Sequence, residues 1–263
     1  MSATAAALRD LHHGRTPGDP LVLPGPWDAA SARVFADAGF RALATPSAGI
    51  AACLGHADGQ TPPDEMFAAV ARIVRAVDIP VSADVEAGYG LGAAELVDRL
   101  LEAGAVGCNL EDTDHATGAL RDPEEQADYL AQVRAAAGDG LVINARIDTY
   151  LPGVGGGAAG DGAAGDDGKA RKDDTIRRGR RYAEAGADCV YPIAAPPPVL
   201  GELAAALGLP LNALALPDGP SPRALGTLGA TRITFGPGLQ QRAMAALRET
   251  AEELRAEGLR AEG

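Results

Sequence analysis

Aromatic residues are scarce, at 4% of 263 residues with a single Trp. The core must therefore be built from Ala, Leu and Val, which a hydrophobic content of 46% allows. Cysteines number three, Cys53, Cys108 and Cys189. An odd count without a CxxC pair gives no support for a disulfide framework or a zinc ribbon, and it suits a reducing cytosol. Cys53 and Cys108 read as small packing residues, and Cys189 opens a buried strand. No run approaches the ~18 uninterrupted apolar residues of a membrane span. The segment from Met1 to Gly14 carries Arg9, Asp10, His12 and His13 in place of an apolar leader. A cytoplasmic protein is expected. Cationic residues are outnumbered, 23 Lys and Arg against 36 Asp and Glu, for a net charge of −13. That balance argues against nucleic acid and anionic membranes as partners. An anionic substrate stays open, because a buried cation and an arginine can reverse the field locally.

What is present is alternation. Strand-like runs cover residues 21–23, 41–44, 81–85, 106–110, 141–147, 189–193, 211–214 and 232–235. Helical runs fall between and after them, at 29–38, 63–77, 91–103, 123–137, 175–185, 198–207, 221–228 and 239–255. Three helices end on a glycine, Gly39, Gly104 and Gly186, which can take the positive φ of a helix stop. Alternating β and α with apolar strands implies a parallel sheet covered by helices, and about eight units favour a closed (β/α)8 TIM barrel spanning 1–263 as one domain. Residues 152–174, rich in Gly, Ala and Asp, break the rhythm and are expected to form a mobile surface loop, either a plain insertion or a shield for the site.

In a parallel barrel the chemistry lies where strands exit. The third strand exits through Asp84-Val85-Glu86-Ala87-Gly88-Tyr89-Gly90, the fourth through Asn109-Leu110-Glu111-Asp112, the fifth through Asn144-Ala145-Arg146-Ile147-Asp148. Alternation puts Asp84 and Glu86 on one face, with Glu111 beside them. Three converging carboxylates repel unless a cation sits among them, and oxygen ligands suit Mg²⁺, with Mn²⁺ as the alternative. Arg146 is placed to grip a carboxylate with its fork, or else to pair with one of the same acids. The loop from Thr45 to Ile50, with Ser47 and Ala48, is small enough for backbone N–H groups to approach an anion. His115 is either a mobile acid or base or a plain exposed loop histidine. His56 stays open, and His12 and His13 are assigned nothing.

These strand ends resemble the isocitrate lyase/phosphoenolpyruvate mutase superfamily. The matching segments are Trp27 to Gly55, "DVEAGYG" from Asp84, "GCNLED" from Gly107, "INARID" from Ile143 and "RYAEAGADCVYPI" from Arg181. The resemblance implies an α/β barrel whose last helix is exchanged with a neighbouring subunit in a homodimer or homotetramer. It implies Mg²⁺ held directly by Asp84 and largely through water by Glu86 and Glu111. It implies a carboxylate substrate held by Arg146 and the backbone around Ser47 and Ala48, with Trp27, Asp28, Asp58 and Asn212 in the substrate-binding set and Asp112 and His115 beside Arg146 as catalytic candidates. The chain departs from the superfamily where lyases carry a cysteine-bearing lid: Thr113-Asp114-His115-Ala116-Thr117-Gly118 stands there, without cysteine. It also lacks the Asp-Lys and Asn-Ser features of the mutases, since Thr113 follows Asp112. A proton donor on this lid is then His115 or Asp114. The expected activity is Mg²⁺-dependent C–C cleavage of a small 2-oxo or 2-hydroxy acid, with a diacid foremost. P–C bond chemistry on phosphonopyruvate is the alternative, and a metabolite-binding barrel without catalysis is a third possibility.

Overall fold

A computed structural model of the chain describes residues 4–154 and 166–261. The elements run α1 (Ala5–His12), β1 (Leu21–Val22), α2 (Ala29–Asp37), β2 (Leu43–Ala44), α3 (Ser47–Leu54), α4 (Pro63–Val74), β3 (Val81–Asp84) and α5 (Ala93–Glu102). Then come β4 (Gly107–Glu111), β5 (Thr113–Asp114), β6 (Ala119–Leu120), α6 (Pro123–Ala137), β7 (Val142–Ile147), α7 (Asp166–Glu184) and β8 (Cys189–Pro192). The chain finishes with α8 (Leu200–Leu207), β9 (Asn212–Leu214), α9 (Pro222–Thr227), β10 (Arg232–Thr234) and α10 (Gly238–Ala261).

Strands β2-β3-β4-β7-β8 form one parallel sheet and β1-β10-β9 another. Two contacts join them into a ring: the Val190 N–H donates to Pro210 O at 3.0 Å, and the Ala44 N–H donates to Pro24 O at 3.1 Å. A closed barrel of eight parallel strands results, as the alternation implied. Its outer face is apolar, with Ala83, Val85, Cys108, Leu110, Ile143 and Ala145 packed on the helices. The inner face is not the usual aliphatic filling. Ser82, Asn109, Asn144, Asn212, Arg232 and Thr234 are all buried polar side chains of the strands, sharing the parity of Asp84, Glu111 and Arg146.

Local chemistry explains the element ends. Asp28 caps α2 and Ser31 answers it in a capping box. The α6 helix starts on Asp122, with Pro123 in its first turn and Glu124 and Glu125 following, which suits the positive helix end. The positive φ expected after the helices is present at Gly39, Gly104 and Gly186.

Four expectations need correction. The stretch around His12, to which the sequence assigns nothing, is a helix: α1 buries Leu8 and Leu11 against Leu21, Leu23 and Val142 and plugs the barrel floor. The loop after the second strand is largely helix, because Ser47–Leu54 is a small-residue run that packs Ile50 and Ala51 fully. The α7 helix begins at Asp166, so residues 166–174 are not loop; Asp174 sits one turn before Arg177 and Arg178 and pairs with both. The remaining part of the expected loop, 155–165, lies outside the described residues. Finally, the lid is an antiparallel hairpin, β5 against β6, closed by Asp114 accepting from the Ala116 N–H at 2.9 Å. Among the described residues no helix is long and apolar enough to cross a membrane.

Candidate active site

The strand exits open into a cavity of about 420 Å³ whose wall includes Ser47, Ala48, Asp58, Asp84, Glu86 and Glu111, with His115 and Arg146. Register places Asp84 beside Asn109 and Glu111 beside Arg146, which is itself beside Tyr191. Glu86 lies past the end of β3, at φ 51°, and Tyr89 follows at φ 55°. Strand alternation therefore does not carry Glu86 into the mouth; a left-handed backbone does. Such conformations cost about 1–3 kcal/mol per non-glycine residue and persist where the surroundings enforce them. Gly88, at φ +85°, makes the turn possible, since a Cβ there would stand 2.6 Å from the Tyr129 hydroxyl.

Asp84, Glu86, Glu111, His115 and Arg146 each already face a neighbour. The Ser47 hydroxyl donates to Asp84 Oδ2 at 3.0 Å. His115 Nε2 is hydrogen-bonded to Glu111, and its Nδ1 lies 3.9 Å from Glu86. Arg146 forks onto Asp148 at 2.7 and 3.1 Å and pairs through Nη1 with Glu111. Both uses foreseen for Arg146 are thus compatible: it is a buried ion-paired arginine on the wall of the cavity. Burial raises the Asp84 carboxyl, with Arg146 and Ser47 opposing. Glu86 is pushed up to about 7, by burial first and then by the charge of Asp84. Burial raises Glu111 too, against the pull of His115 and Arg146. The hydrogen bond to Glu111 raises His115 above the ordinary histidine range. Burial disfavours the Arg146 cation, but Asp148, Glu111 and Asp84 outweigh it and hold the guanidinium firmly charged.

Among the described residues, no three His, Cys, Asp or Glu side chains gather closely enough to hold an ion by themselves. The three carboxylates do not gather as direct ligands around a bare cation. The residues do fit a hydrated one. Glu86 Oε1 is a buried oxygen without a hydrogen bond, and Glu111 Oε2 meets Arg146 without a well-directed one. Burial holds all three carboxyls up, and a cation among them would favour their charged forms. Oxygen donors at more than direct distance suit Mg²⁺, which dehydrates reluctantly and keeps several waters.

Five further candidates are not on the cavity wall. Asp112 follows Glu111, so strand alternation turns it outward, fully buried under α7. There it accepts from the Asp148 N–H at 2.9 Å, the Tyr182 hydroxyl at 2.8 Å and Arg178 Nη1 at 3.2 Å. Asp112 is a brace for the strand that carries Arg146. Burial, then Asp148, pushes its carboxyl up to about 6. Asp28 is spent capping α2, and Trp27 packs edge-on against Phe35. Asn212 is buried below the cavity and donates to Thr234 Oγ1 at 2.9 Å. Asp114 serves the hairpin turn. Removing one partner of a buried pair leaves a charge uncompensated, so Arg178→Met should cost about 3 kcal/mol or more in urea denaturation. A loss under about 1 kcal/mol would show that Asp112 needs no counter-ion.

Sequence reasoning missed Asp148, two residues past Arg146, and Asn109, two before Glu111; both line the cavity. The period-two signal was there. It also missed the floor of the barrel, where fully buried Arg232 reaches Asn109 Oδ1 at 3.1 Å and His12 Nε2 at 3.3 Å. Burial, then Arg232, drops His12 to about 3, so the imidazole is a neutral partner.

The family profile for phosphoenolpyruvate phosphomutase matches residues 8–255. The uncharacterized protein Rv1998c of Mycobacterium tuberculosis (strain ATCC 25618 / H37Rv) is 32% identical over 231 residues, covering 88% of this chain and 81% of that one. The 2-methylisocitrate lyase of Bacillus subtilis (strain 168) is 30% identical over 184 residues, covering 66% of this chain and 55% of the enzyme. Among solved structures, one from Burkholderia cenocepacia J2315, named as a candidate phosphonomutase, superposes with a TM-score of 0.86 at 39% identity, covering 96% of this chain and 100% of that one.

Proposed function

The chain belongs to the phosphoenolpyruvate phosphomutase family, within the isocitrate lyase/PEP mutase superfamily of lyases and mutases, and from that we propose a Mg²⁺-dependent enzyme that cleaves a C–C bond of a small 2-oxo or 2-hydroxy carboxylic acid through an enolate-like intermediate. The observation that carries this is the joint placement of Asp84, Glu86, Glu111 and Arg146 on one cavity at the strand exits. Asp84, Glu86 and Glu111 would hold the ion, in part through water. When bound, it would supply positive charge to the oxygen that turns anionic as an enolate develops. Arg146 would bind and orient the substrate carboxylate, its own direction fixed by Asp148. Ser47 and Ala48 open α3, whose first turn has no side-chain cap bond, and would offer backbone N–H groups to the same anion.

His115 would move the proton that the missing lid cysteine moves elsewhere. General acid–base groups contribute about 10²–10⁴-fold, so His115→Ala should lower kcat by about 10² or more, and undiminished turnover would remove the residue from the scheme. Release of pyruvate or glyoxylate from a panel of malate-type and 2-oxo acids, run beside phosphonopyruvate, tests the reaction. Faster phosphonopyruvate turnover would favour the mutase alternative, which the Burkholderia likeness supports. Binding of oxalate with Mg²⁺ and no turnover across the panel would leave a non-catalytic binding barrel.

We also infer a homodimer or homotetramer located in the cytoplasm, a reading that three cysteines without a CxxC pair support. The α10 helix presents Met244, Leu247 and Leu254 to solvent at helical spacing, the face an exchanged helix would bury against a second copy. Leu247→Glu with Leu254→Glu should lower the mass seen by size-exclusion with light scattering; an unchanged mass would place the contact elsewhere.

A further inference from the structure

We propose that the substrate carries its one charge at the 2-oxo-carboxylate end and is uncharged at the far end, a 4-hydroxy-2-oxo monoacid in place of the expected diacid. This rests on the carboxylate-binding role given to the cavity above. The cations on the cavity wall among the described residues are Arg146 and His115. Both are committed: Arg146 to Asp148 and Glu111, His115 to Glu111. Against them stand Asp58, Asp84, Glu86, Glu111 and Asp148 on the same wall. Even with a divalent ion present, a second substrate carboxylate has no cation left to meet. Residues 155–165, which follow Val154, contain only Gly, Ala and Asp161, so this segment brings no cation either. Of the next basic side chains along the chain, Lys169 is exposed on α7 and off the cavity wall, Arg171 lies over the Tyr150 ring and Lys172 pairs with Glu202.

The rest of the wall matches an uncharged group. Leu151, Val154, Ile193 and Pro237 supply apolar surface, and Gln60 and Thr113 supply neutral polar atoms. A second carboxylate against these would lose its hydration and gain repulsion from the acids. A hydroxyl or alkyl terminus loses little.

Chemistry then limits which bond breaks. Without a second carboxylate to stabilise a carbanion, the electron sink is the 2-oxo group. The bond is C3–C4, and its electron pair moves into the enolate of pyruvate. The C4 hydroxyl gives its proton to a basic group of the cavity wall, for which His115 in its neutral form is placed, as C4 becomes an aldehyde carbonyl. The enolate takes a proton at C3. Pyruvate and an aldehyde account for every atom, and no oxidant or reductant is needed.

The test is calorimetric binding, with Mg²⁺ present, of 2-oxopentanoate and 2-oxoglutarate, which share a chain length and differ in a terminal methyl or carboxylate. The monoacid is expected to bind at least about tenfold tighter, since like-charge juxtaposition costs that much or more. Equal or tighter binding of 2-oxoglutarate, with oxalate also bound, overturns this proposal and leaves the carboxylate role standing. Failure of all three acids to bind overturns both. Leu151→Arg adds a cation to the apolar wall and should bring the diacid to parity or better; an unchanged preference in that variant also overturns the proposal. Pyruvate and aldehyde release in equal amounts from a 4-hydroxy-2-oxo acid completes the case.

Discussion

Lysine in place of Arg146 is expected to lower kcat/KM by about 10²–10³-fold while the protein stays folded. The side chain keeps its charge, so Glu111 and Asp148 are not left alone in the barrel mouth. What goes is the planar fork. Arg146 uses two nitrogens on Asp148 and a third on Glu111, which fixes the guanidinium at the edge of the cavity. An ammonium has a single centre and can satisfy one acid at a time, so it would retreat toward Asp148 and release the substrate carboxylate. Loss of a positioning contact appears in kcat as well as KM, because the carboxylate must be held while charge develops beside it. Steady-state kinetics on the best acid of the panel, with a thermal melt alongside, decides the matter. A variant within about threefold of the parent, at equal melting temperature, would show that Arg146 is only a structural ion pair.

The sequence made the barrel legible because its punctuation is local. Glycine stops at Gly39, Gly104 and Gly186 and apolar strands need no tertiary context to be seen, and the strand order followed from them. Asp84, Glu111 and Arg146 were legible for a similar reason, as charge at the end of an apolar run. Glu86 was placed correctly by an argument that does not apply to it, since its position depends on a left-handed backbone invisible to alternation. Asp112 was misplaced because its neighbour Glu111 lent it significance, although the same alternation that puts Glu111 inside puts Asp112 outside. The polar barrel floor was missed because Ser82, Asn109, Asn144 and Arg232 each sit alone among apolar residues. Their meaning appears only when the barrel closes and Arg232, from β10, reaches Ser82 on β3 and Asn109 on β4 across its interior. Helix α1 was missed because a charged tail and an amphipathic plug look alike until Leu8 and Leu11 find the floor.

Asp84→Asn should abolish measurable Mg²⁺ uptake in calorimetry and lower kcat/KM by about 10³-fold or more, because the ion supplies several kcal/mol of charge stabilisation. An amide oxygen keeps the shape and the approach of Ser47 but carries no charge to attract a hard cation. A pH dependence must accompany the metal in the parent protein. Glu86 titrates near 7 because it is buried and faces Asp84. Its folded pKa lies above the ordinary carboxylate value of 4.5, so between these values the folded chain binds more protons than the unfolded one. The stability of the metal-free protein attributable to this group therefore falls as pH rises from 4.5 toward 7 and stays low above. Mg²⁺ relieves the same repulsion. It must first displace a proton below pH about 7, so its affinity weakens as pH falls through that value. The rise in melting temperature on adding Mg²⁺ should consequently be larger near pH 8 than at about pH 6, and Asp84→Asn should erase the rise at both. A shift of equal size at the two pH values would mean that the ion binds without engaging Glu86. No shift at either, even with oxalate added, would mean that these carboxylates serve the fold alone.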